Sequence, residues 1–132
     1  MRYTNNAIYT VIRAAALSVV STTNVTQTYT PTPSKFPCVF AREIGHFTPE
    51  RAATFANAQD ISECTWEVQV LSDLKTGAKE QAYKLMASIK DALRGLYFLE
   101  TFEAPLDGVT THYTLVARFR RIIGSGDEFP NT

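Results

Sequence analysis

The sequence predicts an α+β fold, a largely antiparallel sheet with two helices packed on one face. Three observations carry this. Two stretches, 5–20 and 76–94, repeat apolar residues at helical spacing. Several other stretches alternate apolar and polar residues, as half-buried strands do. Both helical stripes need an apolar surface to cover them, and one face of such a sheet supplies it. The 132 residues make one domain, 1–132, with no internal repeat.

The first helix is expected over 5–20. Ile8, Ile12, Ala15, Ala16 and Val19 form its stripe, and Thr4 or Asn5 caps its start. The run Ala14–Val20 behind Arg13 superficially resembles the apolar region of a signal peptide, but it is preceded by Asn5, Asn6 and Thr10 and suits an amphipathic helix better. It is too short to span a bilayer, which needs about 20 apolar residues. Residues 21–35 are rich in Thr, Ser and Pro, with a short edge strand expected near 25–29. Pro31 and Pro33 then keep the path extended. Over 36–44 a strand puts Phe36, Cys38 and Phe40 on one face and Val39 and Ala41 on the other. Gly45 is expected to end it and open an exposed excursion, 45–60, with a helical turn near 49–56 begun by Thr48-Pro49.

The clearest strand is 61–72, where Cys64, Trp66, Val68 and Val70 alternate with Thr65, Glu67 and Gln69. In the second helix Ala82, Leu85, Met86, Ile89 and Leu93 make the stripe. Lys79, Glu80, Lys84, Lys90, Asp91 and Arg94 are expected to face outward, with Gly95 just past the end. A short strand over 97–104, the turn residues Pro105-Leu106-Asp107-Gly108 and a long strand over 110–123 follow. Tyr113, Leu115, Ala117 and Phe119 share one face of that last strand; Thr114, Val116, Arg118, Arg120 and Ile122 share the other. Gly124–Thr132 reads as a flexible tail.

Composition narrows the function. Hydrophobic residues are 45% of the chain and include eight Phe, six Tyr and one Trp, enough for a substantial core. Thirteen basic and thirteen acidic residues give zero net charge. That balance argues against a dedicated nucleic-acid-binding domain and against a polybasic membrane-surface protein, and it leaves self-association unopposed. Cys38 and Cys64 read as reduced, buried small hydrophobes.

No phosphate-binding glycine loop, dinucleotide fingerprint, zinc-protease helix or nucleophile elbow is present. No two of Cys38, Cys64, His46 and His112 have zinc-ligand spacing, and His112 reads as an exposed residue beside a turn. The carboxylates Glu63, Glu67, Glu100 and Glu103 form no evident pair. The expectation is therefore of no enzyme, no cofactor and no metal. Arg118, Arg120 and Arg121 crowd the last strand, and Leu71, Val116 and Ile122 interrupt polar faces. One reading is a solvated sheet face with scattered apolar residues. Another is an interface, since arginine's planar fork pairs carboxylates and stacks on aromatics. A third is nucleic-acid contact by these arginines.

Several local patterns point to a family. Phe36-Pro37-Cys38-Val39-Phe40 follows a Pro-rich approach; Trp66-Glu67-Val68-Gln69-Val70 leads through a turn bearing Gly77 into the helix Ala78–Arg94; and a closing strand, His112–Ile122, carries Arg118 and Arg120. In this order the chain resembles the small tail-terminator, or tail-completion, proteins of long-tailed bacteriophages, often called minor capsid or minor tail proteins. The resemblance covers roughly residues 5–123 and departs from the family where Cys38 stands in place of a common Tyr. It implies a structural virion protein, made in the host cytoplasm, that assembles as a homo-oligomeric ring, typically a hexamer, at the head-proximal end of the tail tube. Such a ring ends tube polymerisation, meets the tube protein on one side and the head–tail connector or stopper on the other, and lets DNA pass through its lumen. It involves no membrane. On this reading Arg118, Arg120 and Arg121 are inter-subunit or partner contacts, and His46, Phe47, Glu50 and Arg51 in the excursion meet a partner above or below the ring. The alternatives are another neck ring, such as a head-completion or stopper protein, or a small cytoplasmic enzyme or ligand-binding domain.

Overall fold

A computed structural model describes residues 5–28, 33, 35–47, 61–106 and 112–124. The elements run α1 (Asn5–Val19), β1 (Asn24–Thr26), β2 (Cys38–Phe47), β3 (Ile61–Ser72), α2 (Ala78–Gly95), β4 (Leu99–Pro105) and β5 (Tyr113–Gly124). The five strands form one sheet in the order β1-β2-β3-β5-β4. Only the short β1–β2 pair is parallel; β2–β3, β3–β5 and β4–β5 are antiparallel. The fold is thus α+β with a mostly antiparallel sheet, as the periodicities predict.

Both helices cover one face of the sheet. Ile8, Ile12 and Ala16 from α1 and Leu85, Met86, Ile89 and Leu93 from α2 pack on Val39, Ala41, Trp66, Val68, Val70, Leu115, Ala117 and Phe119. The five α2 stripe residues read from the sequence are the five that are buried. Trp66 and Phe119 are opposite each other in the β3–β5 register and are the largest fully buried side chains. Polar links tie the layers together: Tyr9 Oη donates to the Val25 carbonyl (2.9 Å), and Ser88 Oγ donates to the Ala15 carbonyl (2.9 Å).

Five local expectations need correction. Val19, placed in the α1 stripe, is the last residue of the helix and is 40% exposed. Gly45 does not end β2. The register shifts between Glu43 and Gly45 as a β-bulge, and pairing resumes to Phe47, because an extra residue can be accommodated without ending a ladder. Gly95 is not past the end of α2; it is the last residue of the helix. Tyr97 takes the left-handed position (φ 64°), with the Tyr97 amide bonded to the Arg94 carbonyl and the Phe98 amide to the Leu93 carbonyl. Lys90 does not face open solvent. It is drawn onto Glu100 and Glu103 of β4, and burial, which would lower its pKa, is outweighed by these two carboxylates, which raise it. His112, expected to be exposed, is half-buried with its ring 5.3 Å from that of Phe36. The Thr4 cap, the turn at 107–108, the helical turn near 49–56 and the tail beyond Gly124 lie outside the described residues.

Candidate interaction surface on the open sheet face

The sheet face away from the helices is built by the alternate residues of the same strands. Antiparallel register lines them up in rows. One row crosses four strands: Arg42 on β2, Glu67 on β3, Arg118 on β5 and Phe102 on β4. Glu67 is the centre of this row and is 5% exposed. Its Oε1 accepts from Arg42 Nη2 (3.3 Å) and Gln69 Nε2 (3.2 Å), and its Oε2 accepts from Arg118 Nε (3.1 Å). Burial pushes the Glu67 pKa up, but the hydrogen bonds from Gln69, Arg118 and Arg42 and the charge of Arg42 outweigh it, leaving the carboxyl below its ordinary value. A carboxylate on a central strand is tolerable because its lone pairs are filled by these charged and polar donors.

The arginines differ from the acid they hold. The Arg42 and Arg118 side chains are 56% and 50% exposed against 7% for Glu67. Arg120, in the next row, is likewise 50% exposed, and its Nη1 lies 3.5 Å from Glu63. The Arg118 guanidinium also sits 5.6 Å from the centre of the Phe102 ring, within cation–π range. Phe102, Leu99, Leu106 and Ile122 are exposed. A shallow groove of about 300 Å³ runs between Glu67, Phe102, Leu106, Val116 and Arg118. Towards β1 the same face closes over: Cys38, Phe40 and Leu71 form a second small buried cluster with Phe36. Leu71 is therefore core, not surface. Burial raises the Cys38 thiol to about 11, so it stays protonated and unreactive at neutral pH.

The predicted contact residues fall in three places. Arg118 and Arg120 share the open face. Arg121 points to the helix side, where Nη1 donates to the Leu96 carbonyl at the end of α2 (2.9 Å) and the guanidinium lies 5.8 Å from the Tyr97 ring centre. That position lets its charge meet the negative end of the helix dipole. His46 and Phe47 belong to the end of β2, and Glu50 and Arg51 lie outside the described residues. Glu63 and Glu67 lie on the open face, whereas Glu100 and Glu103 bind Lys90 on the helix side. Cys64 Sγ donates to Glu43 Oε2 (2.9 Å) on the helix-covered side, at the β2 bulge. Neither cysteine is in a disulfide, and both are buried. Among the described residues no group of three or more His, Cys, Asp or Glu is placed to hold a metal ion, and no helix is long and apolar enough to cross a membrane.

The anchoring of Arg118 by Glu67 was not readable from spacing, since 51 residues separate them. The usable signal was a carboxylate at a polar position between Trp66 and Val68, in the strand whose period-two pattern is clearest. No protein-family model matches this chain, and no curated protein matches it in sequence.

Proposed function

We propose that this chain is a structural virion protein that forms a ring at the head-proximal end of a phage tail tube. The ring ends tube polymerisation and joins the tail to the head connector, with the tube protein and the connector or stopper as partners and DNA passing through the lumen. One observation carries the reading: the open sheet face is a prepared contact surface. Arg118 and Arg120 are paired with the buried Glu67 and the half-buried Glu63, and exposed Leu99, Phe102 and Ile122 lie among them. Arginine and aromatic side chains are favoured at protein interfaces, and fixing a long side chain beforehand lowers the entropy lost on binding. The family resemblance of the sequence supplies the place of that contact in a virion.

Deleting the gene from its parent phage and measuring tails by electron microscopy tests the proposal. Overlong tails without heads are expected. Tails of normal length that fail to join heads would move the chain to another ring of the neck. Normal tails on normal heads would overturn a role in tail completion.

A further inference from the structure

Glu67 is one acid between two cations. Arg118 gives it Nε and Arg42 gives it Nη2, each through a single nitrogen. A guanidinium carries five N–H donors in a planar fork, so one arginine can hold a carboxylate on its Nε side and a second across Nη1 and Nη2. The Nε side of Arg118 faces Glu67, and its Nη1–Nη2 edge makes no hydrogen bond among the described residues. Two guanidiniums on one carboxylate leave the Arg42–Glu67–Arg118 row with an excess of positive charge. Arg120 and Glu63 form a neutral pair and add nothing to it. Beside this row the sheet dips. Val116 and Ala104 face each other across β5 and β4, two residues along from Arg118 and Phe102. They are smaller than Phe102 and Arg118 on one side and Leu106 on the other, and the groove of about 300 Å³ lies over them. Phe102 and Leu106 stand exposed at its rim.

We infer that this row and groove receive a segment of a different protein that carries a carboxylate beside a large apolar side chain. The carboxylate accepts two parallel hydrogen bonds from Nη1 and Nη2 of Arg118, and the apolar side chain lies over Val116 and Ala104 against Phe102. Charge selects this occupant. The row has two cations and one acid, which matches a partner's carboxylate and is too little for a nucleic acid, whose affinity grows with the number of phosphates neutralised. The same face of a second copy brings the same excess of positive charge and is repelled. Shape selects it too. Sites for small molecules are cavities of about 300–1,000 Å³ that bury most of the ligand, whereas a shallow groove at the bottom of that range suits one side chain of a larger partner. Glu67 holds the Arg118 fork in place beforehand, which lowers the entropy lost when the partner arrives. The inference rests on reading this face as a contact surface and does not depend on where in a virion the contact is made.

An NMR titration of the isotope-labelled full chain with the peptide acetyl-Gly-Ser-Asp-Phe-Asp-Ser-Gly-amide tests it. The Arg118 Nε–H signal and the Phe102 and Val116 amides should shift, with a Kd of about 1 mM or tighter. Replacing both Asp of the peptide by Lys, or its Phe by Ala, should weaken binding about tenfold or more. Arg118→Gln should weaken it as much. Ala104→Gln, which fills the floor of the groove from an edge strand, should do the same and decides the matter if the arginine variant unfolds. No shift at about 10 mM peptide overturns the inference, as does equal binding of the Lys peptide. Tighter binding by a chain carrying Asp127→Asn and Glu128→Gln would mean that the chain's own acids compete for the site, and overturns the assignment to a partner. Self-association of the wild-type chain that Arg118→Gln abolishes would give the face to a second copy and overturns it as well. None of these results touches the deletion phenotype, since other surfaces can close a ring. Conversely, normal tails after deletion would leave peptide binding intact.

Discussion

At the scale of single residues, Glu67 organises the open face. Its carboxyl is held below the ordinary Glu value, because three donors outweigh the cost of burial. A depressed native pKa contributes stability above the unfolded value of about 4.3, and that stability is lost as pH falls through the native pKa. The midpoint of thermal unfolding should therefore drop on acidification below about pH 4.3. Glu67→Gln should flatten that acid limb, and a variant as acid-sensitive as the wild type would show that the carboxylate is not the cause. The residue itself was easy to place, since period two put it opposite Trp66 and Val68. Its partners were not, because Arg42 and Arg118 come to it through strand register, and register across long connections is set by packing that no local pattern records.

At the scale of elements, the helices were the most legible parts of the chain. The α2 stripe was readable to the residue because a sustained apolar period has one solution on a helix. The end of α2 departs from the sequence expectation for a physical reason: glycine is the usual left-handed closing residue, yet here Tyr97 takes that place. Arg121 supports the closure from the last strand by bonding the Leu96 carbonyl. Arg121→Ala should cost about 2 kcal/mol, the low end of the sum of a charge-assisted hydrogen bond and a helix-end cation, because the side chain is only half-buried. Chemical denaturation measures this directly, and a loss within about 0.5 kcal/mol, the range of an ordinary surface substitution, would show that the contact is idle. β2 runs past its expected end, since a bulge at Glu43–Gly45 reads in sequence as a strand's end.

At the scale of the whole molecule, fold class and sheet faces were legible, and strand order was not. Periodicity names which residues share a face; it does not say that β5 lies between β3 and β4. The candidate contact surface became visible only with that order, which brings Phe102 beside Arg118 and Arg118 beside Glu67. The same order has a consequence during synthesis. The strand that separates β3 from β4 is the last of the five to be made, so β4 leaves the ribosome with no strand to pair with, and β3, with its largest apolar side chain Trp66, waits with one edge bare. Nascent chains arrested with β4 outside the ribosome and β5 still inside should be cut readily by protease, and chains arrested with β5 fully emerged should resist. Protection before β5 emerges would mean that the first three strands and two helices are stable without it. Until β5 arrives, the newborn chain is a client for whatever shields bare strands in its cell.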